Sequence, residues 1–369
     1  MSNQTICQTY KILISLIGSI HRQKIVTLLS IVSIVITGCI KNNGESAAVN
    51  ETYKRGQRLE TIIKRGKLIC GINEQLLGFS YKEPDGSYSG ISVDLCRAIA
   101  AALFNDPTKV EFRHLKQEER FEAVTAGKVD ILSRNTTWNL SRDTSGDMDF
   151  PPTNFYDGQG ILVRQNSNIT KLENLEGASI CVPAQTTSEE NLAEQMRKYR
   201  IGYLPMPLEN IEQLYGAYDA QKCDAVTSDI SELVARRSQL DNPNDHQLLD
   251  AVISKEPLGP VIANDEPAWL DVVTWVSYAT IKAEELNVSS QNIDRLNNSK
   301  NAEIRRLIGI EGNIGNNLGL SNDFAKRVIK HVGNYDEIYE RNIGEPFNLA
   351  RGANALWKNG GLMHSPPFR

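Results

Sequence analysis

The chain has 369 residues and 41.1 kDa, and its 26 glycines, 14 prolines, 23% charged and 40% hydrophobic residues exclude a disordered or collagen-like chain. At roughly 100 to 200 residues per domain, the length leaves room for two domains. Lys plus Arg total 40 against 45 Asp plus Glu, for a net charge of −5, and no Lys/Arg block offers a track for a polyanion, so nucleic acid is not an expected partner.

Residues 1–38 carry Lys11, Arg22 and Lys24 and no acidic side chain, and they contain the apolar run Ile25 to Ile36. A basic flank followed by a short apolar core reads as a secretory signal, and the run is short of the roughly 20 residues of a membrane span. It ends in Ile36-Thr37-Gly38-Cys39, which resembles the lipobox of bacterial lipoproteins. The expectation is a signal peptide over 1–38, lipidation of Cys39 and a polar tether over 39–57. An uncleaved signal anchor is the alternative, with Ile12 to Ile20 as a second apolar stretch; either reading exports the rest of the chain, which is membrane-attached but has no later candidate span.

From residue 60, short β-rich runs alternate with helical ones, the pattern of layered α/β structure. Strands are expected at 68–72, 109–115, 129–134, 159–164, 179–182, 202–207 and 224–228. Helical faces recur at three- and four-residue spacing in Val93, Leu95, Cys96, Ile99 and Leu103, in Phe121 and Val124, and in Ile211, Leu214 and Tyr218. The strands group into two blocks, roughly 60–158 and 166–255. A helical portion follows, opened by Pro267 and a Trp269, Val272, Val273, Val276 and Ala279 stripe. Further helices are expected at 302–308, 323–331 and 336–341, and irregular chain at 359–369.

Four cysteines remain after Cys39, an even count that favours disulfides in an oxidising compartment. Neighbourhood favours Cys70 with Cys96 and Cys181 with Cys223, each pair inside one block; four buried free thiols are the alternative. None forms the close pairs of a zinc site, and the five histidines at 21, 114, 246, 331 and 364 form no metal set. There is no nucleophile elbow, zincin helix, phosphate loop or dinucleotide fingerprint, so no cofactor and no ATP site are expected.

Three polar segments fall where strands end and helices begin, the place where open α/β sheets bind ligands. They are Ser133 to Asp143, containing Asn135, Thr137 and Arg142; Gln185-Thr186-Thr187-Ser188-Glu189-Glu190; and Thr227-Ser228-Asp229. Taken singly each has a structural reading. Thr187 with Glu190 and Asp229 with Glu232 have capping-box spacing, and Arg142 suits a solvated surface. Together they offer a guanidinium fork, helix N-terminal amides and a carboxylate. That set suits a zwitterion.

These segments, with Cys70-Gly71-Ile72-Asn73, Tyr156-Asp157-Gly158-Gln159-Gly160, Ser254-Lys255-Glu256-Pro257-Leu258-Gly259-Pro260 and Gly333-Asn334-Tyr335, resemble the substrate-binding component of the general polar amino-acid ABC transporters, bacterial extracellular solute-binding protein family 3. The resemblance runs from about residue 58 to the C-terminus. It implies an α/β, two-lobed, hinged periplasmic-binding-protein fold of type II with a long helical C-terminal portion: one lobe from 58–160 plus 260–369, the other from 161–259, and hinges near 158–164 and 259–264. It implies a periplasmic protein that binds L-amino acids and delivers them to permease subunits whose ATPase is a separate chain.

Carried over by position, Arg142 holds the α-carboxylate and Asn135 and Thr137 help fix the ligand. Thr187, with Thr186 beside it, faces the carboxylate from a helix start, and Asp229 takes the ammonium. Gln185 stands where the family usually has glycine. Leu76-Leu77-Gly78 supplies no aromatic ring over the ligand, which points to broad specificity. Two alternatives remain: a periplasmic dehydratase-type enzyme on the same fold, for which Glu74, Glu189 and His114 are the acid–base candidates, and an amino-acid sensing module.

Overall fold

The computed structural model describes residues 56–369. The expected signal segment 1–38, Cys39 and the tether as far as residue 55 lie outside the described residues. Among the described residues, no helix is long and apolar enough to cross a membrane.

The chain runs through α1 (Arg58–Arg65), β1 (Leu68–Ile72), β2 (Gln75–Leu76), β3 (Ser80–Lys82), β4 (Tyr88–Ser89), α2 (Ile91–Phe104), β5 (Val110–His114), α3 (Arg120–Thr125), β6 (Ile131–Thr137), α4 (Leu140–Asp143), β7 (Met148–Asp149) and β8 (Phe155–Asp157). It continues through β9 (Gln159–Arg164), β10 (Ser179–Pro183), α5 (Thr187–Tyr199), β11 (Leu204–Leu208), α6 (Ile211–Asp219), β12 (Ala225–Asp229), α7 (Ile230–Arg237) and β13 (His246–Leu248). Then β14 (Glu256–Ala263) precedes the long helix α8 (Pro267–Glu285).

Two open sheets result, beside a small three-stranded one of order β2-β3-β4. The first has the order β5-β1-β6-β14-β7, with β8 also paired to β14; the second has the order β11-β10-β12-β9-β13. In each, three parallel strands are joined to antiparallel ones: β14 runs against β6, and β9 against β12. Strands β1 and β12 are buried along their whole length, because parallel strands flanked by helices have apolar packing on both faces. The second sheet shows this by alternation: Ile161, Val163, Ile180 and Val182 pack with Leu192 and Met196 on one face. Leu162, Cys181 and Val226 pack with Leu214, Tyr218 and Leu233 on the other. Between β4 and α2, Gly90 has φ +122°, and a Cβ there would lie 2.1 Å from the Phe79 carbonyl oxygen, so only glycine lets this turn lie against the hairpin.

The seven expected strands are all present, with ends displaced by at most three residues. What the sequence pattern does not reveal is β14, because Pro257, Gly259 and Pro260 argue against a strand beside β6. The pairing register shifts between Gly259 and Val261, which leaves Pro260 at the irregularity and removes the conflict with its missing N–H. This strand also relocates the second crossing. Ile253 still donates to the Gln159 carbonyl of the second sheet, and Glu256 is already paired with Asp157 of the first, so the chain passes between sheets at Ser254–Lys255. The segment 259–264 lies mainly inside β14. The first crossing is at Gly158, between β8 and β9, where a Cβ would meet the Ser254 carbonyl oxygen at 3.1 Å.

Both expected disulfides are present. Cys70–Cys96 ties β1 to α2, and Cys181–Cys223 ties β10 to the residues before β12, with Cα separations of 6.4 and 5.7 Å. Loops of this length correspond to about 3–4 kcal/mol each in the chain-entropy account.

The C-terminal helices Ala302–Leu307, Phe324–His331 and Tyr335–Tyr339 fall where expected and pack on the first sheet's side. The tail after residue 359 has no helix or strand, yet it is built into the core. Phe368 lies edge-on to Trp275 at 5.3 Å and stacks on Phe324 at 6.5 Å. Asn354 pairs with both backbone groups of Tyr156, at 2.6 and 2.9 Å, and so braces β8 just before the first crossing.

Candidate functional site

The C-terminal ends of β6, β10 and β12 converge on one cleft of about 390 Å³. All six residues expected at the site line it: Asn135, Thr137, Arg142, Thr186, Thr187 and Asp229. No Phe, Tyr or Trp does, and Leu76 is buried in β2 while its neighbour Gln75 reaches the cleft.

The first sheet supplies the cationic side. Arg142 sits in α4, a four-residue helix whose N-cap Asn139 accepts the Arg142 N–H at 2.9 Å. Its Nη1 donates to the Thr137 carbonyl at 2.8 Å, and its guanidinium lies 5.4 Å from the Phe121 ring centre. These contacts fix the plane of the fork and leave other N–H groups for a ligand. Burial pushes the guanidinium pKa down, and Glu256, Glu190 and Asp229 oppose the shift.

The second sheet supplies the acidic side. Asp229 is at the N-cap of α7 but makes no cap hydrogen bond; it accepts from Asn135 Nδ2 at 2.9 Å across the cleft. Its expected capping box with Glu232 is therefore not formed. The reason is local: Asp157 Oδ2, from the first crossing, accepts the Ser231 N–H at 3.2 Å and its hydroxyl, while Ile230 N–H donates to the Gly158 carbonyl at 2.8 Å. With α7 capped from outside, Asp229 is left facing the cleft. Burial raises its pKa well above the ordinary carboxylate range, and the charges of Asp157, Glu232 and Glu256 add to the rise. An arriving ammonium would relieve that repulsion.

The start of α5 differs from expectation in the same way. Thr186, not Thr187, is the N-cap: its Oγ1 accepts the Glu189 N–H at 3.3 Å, and Glu189 Oε2 accepts the Gln185 N–H at 2.8 Å. The capping partner is thus Glu189 rather than Glu190, one residue earlier than the Thr187 spacing suggests. Gln185 has φ +58°, the left-handed region that favours glycine. The turn keeps that shape with a side chain present.

Thr187 Oγ1 lies 3.3 Å from Thr137 Oγ1, so the two sheets meet at this pair. Between them is Glu256, which the sequence reading did not single out. It is 1% exposed; Oε2 accepts from Thr137 and Thr187, and Oε1 accepts from Ser254 and, at 2.7 Å, from Asn191. Also unforeseen are Arg120 and Arg134, which line the cleft beside Arg142, and Glu232 beside Asp229. The signals available were a glutamate just ahead of a proline strand and an arginine inside the otherwise apolar or neutral run of β6. Of the acid–base candidates, Glu189 is engaged in the helix cap and Glu74 accepts from Tyr88 OH at 2.7 Å, whereas His114 lines the cleft. Among the described residues, no group of three His, Cys, Asp or Glu could hold a metal ion.

Two α/β sheets of matching strand order, joined by crossing segments and presenting polar strand ends to a shared cleft, make up the two-lobed type II periplasmic binding fold. Residues 68–292 match the model for bacterial extracellular solute-binding proteins, family 3, and the chain belongs to that family. It is 44% identical over 326 residues to the general L-amino acid-binding periplasmic protein AapJ of Rhizobium johnstonii, covering 87% of this chain and 96% of the relative. It is 44% identical over 314 residues to the glutamate/glutamine/aspartate/asparagine-binding protein BztA of Rhodobacter capsulatus, covering 84% and 93%. A solved ABC transporter / periplasmic binding protein from Brucella ovis with glutathione bound is similar with a TM-score of 0.83 at 46% identity, over 84% of this chain and 99% of that one.

Proposed function

We propose that this protein binds L-amino acids in the cleft and hands them to an ABC transporter permease. The α-carboxylate is held by the Arg142 fork and the first amides of α5, and the ammonium by Asp229, with Asn135, Thr137, Thr186 and Thr187 orienting the ligand. One observation carries the reading. Arg142 and Asp229 face one cleft from different sheets, and neither has an ion-pair partner among the described residues. A zwitterion bridging them favours the closed arrangement over an open one and shifts the population towards it.

In this reading one lobe comprises 58–157 plus 256–369 and the other 159–253, which moves the expected boundaries at 160 and 259 to pivots at Gly158 and at Ser254–Lys255. The N-terminal segment exports the chain, and Cys39 carries the lipid that holds it at the periplasmic membrane face. Binding rather than catalysis is favoured because all three acid–base candidates have structural partners, His114 Nδ1 accepting the Glu74 N–H at 3.4 Å.

Titration calorimetry of ligand-stripped protein tests this with L-amino acids, their D-forms and the decarboxylated amines. Binding of several L-amino acids but not of the amines is expected. Arg142→Ala should weaken binding at least about 100-fold while moving the unfolding free energy of the unliganded protein by no more than about 1 kcal/mol. A large stability loss with binding retained would make Arg142 a structural group.

A further inference from the structure

Arg142 is one of three guanidinium groups on the same wall of the cleft. Arg134, in β6, is 7% exposed; its Nη1 donates to the Leu115 carbonyl at 2.9 Å and its Nη2 to Gln117 Oε1 at 3.2 Å. Arg120, the first residue of α3, is 6% exposed, donates to the Gln117 carbonyl and lies 4.3 Å from the Phe121 ring centre. That ring also carries Arg142. Every acceptor named is a neutral carbonyl or amide oxygen. None of the three arginines has an ion-pair partner among the described residues.

Buried cations without counter-ions are unfavourable, and neighbouring ones repel. Burial, then Arg134 and then Arg142, push Arg120 down to about 8, with only the exposed Glu118 opposing; burial pushes Arg134 down to about 10, opposed by Glu232. The acidic groups of the cleft, Glu118, Glu209, Asp229 and Glu232, make no ion pair with Arg120 or Arg134, whose hydrogen bonds go to neutral oxygens. A neutral zwitterion held at Arg142 and Asp229 leaves those two guanidinium groups without a contacting anion. A ligand with one further carboxylate supplies one.

We propose that Arg120 and Arg134, bridged through Gln117, form a second anion subsite, so that the preferred ligands are amino-acid zwitterions carrying an additional carboxylate. The proposal rests on the Arg142–Asp229 clamp, which positions the α-carbon and leaves the rest of the ligand to extend along this wall. The cleft is large enough for the second carboxylate to be that of an aspartate or glutamate side chain, or the distal one of a γ-glutamyl peptide. The chemistry at the arginines is the same.

Calorimetric titration of the full chain with L-glutamate, L-aspartate, L-glutamine, L-asparagine and glutathione tests it. Each dicarboxylate should bind tighter than its amide by about 10- to 100-fold, the range of one charge-assisted hydrogen-bonded contact. In Arg120→Gln, and independently in Arg134→Gln, that preference should collapse, and Arg120→Lys should restore part of it. Tighter binding of glutathione than of glutamate would assign the subsite to the peptide; the reverse would assign it to the side chain. Equal affinity for acids and amides in the natural protein overturns the proposal, as does an equal loss for both in the two variants. Binding of none of the five would overturn the clamp reading itself. Should Arg134→Gln fail to fold, the Arg120 variants decide.

Discussion

Gln185 stands at a turn that the backbone geometry reserves for glycine, with φ +58° ahead of α5. The left-handed conformation costs an L-residue roughly 1–2 kcal/mol, and glycine avoids it while paying more chain entropy on folding. Gln185→Gly is therefore expected to raise the stability of the unliganded protein by up to about 1 kcal/mol, read as a higher midpoint in urea. The Gln185 side chain is exposed and its N–H is held by Glu189 Oε2, a bond glycine keeps. Arg142 is the converse case. Its place is set by Asn139, Phe121 and the Thr137 carbonyl, none of which it needs to keep the core packed.

At the scale of elements, the capping of α7 decides which carboxylate serves the ligand. Asp157 caps the helix from β8, and Asp229 is spared. Asp157 bears the cost of that position: burial pushes it up to about 6, the hydrogen bonds from Ser231 and Gly158 opposing and the charge of Glu256 adding. A carboxyl whose pKa is higher folded than unfolded favours the folded state while protonated. Its contribution is complete below the ordinary Asp value of about 4 and is lost as pH rises to about 6. Asp157→Asn, which cannot ionise, should thus gain stability relative to the natural protein across that window and show a flat difference outside it. Chemical denaturation of both proteins at a series of pH values reads this directly; a difference independent of pH would mean that Asp157 titrates alike in the folded and unfolded chain. The β14 strand makes a related point about elements: it is held beside β6 despite two prolines because an irregularity absorbs one of them.

At the scale of the molecule, contacts away from the ligand also join the two halves. Arg236 of α7, paired with Glu212 at 3.0 Å and 5.2 Å from the Tyr215 ring centre, reaches over to donate to the Gln75 carbonyl of β2 at 2.8 Å. This bond exists only while the sheets are together. Removing it should cost the closed arrangement alone, and so lower affinity for every ligand by a common factor of about 5–10. Arg236→Leu, which removes the guanidinium, should therefore weaken all ligands without reordering them, in the same calorimetric panel. A change in ranking instead would place Arg236 in the specificity machinery.

The two-block α/β order, the seven strands, both cysteine pairs and the six cleft residues were legible in the sequence because each depends on local signals: apolar periodicity, cysteine neighbourhood, polar clusters at strand ends. The resemblance of the Ser133 to Asp143 and Ser254 to Pro260 segments to a known family supplied the two-lobed arrangement that periodicity does not contain. What stayed hidden depends on residues distant in the chain. The strand at Glu256 exists because β6 and β8 flank it, Thr186 rather than Thr187 caps α5 because of how the Gln185 turn bends, and Asp229 is free because Asp157, 72 positions earlier, takes over its helix. Tertiary structure alone gathered Arg120, Arg134 and Arg142 on one cleft, the first and last of them against one phenylalanine. Local sequence dictates where a strand ends and what its tip carries; which tips meet, and which charges are left unpaired there, is decided only when the sheets pack.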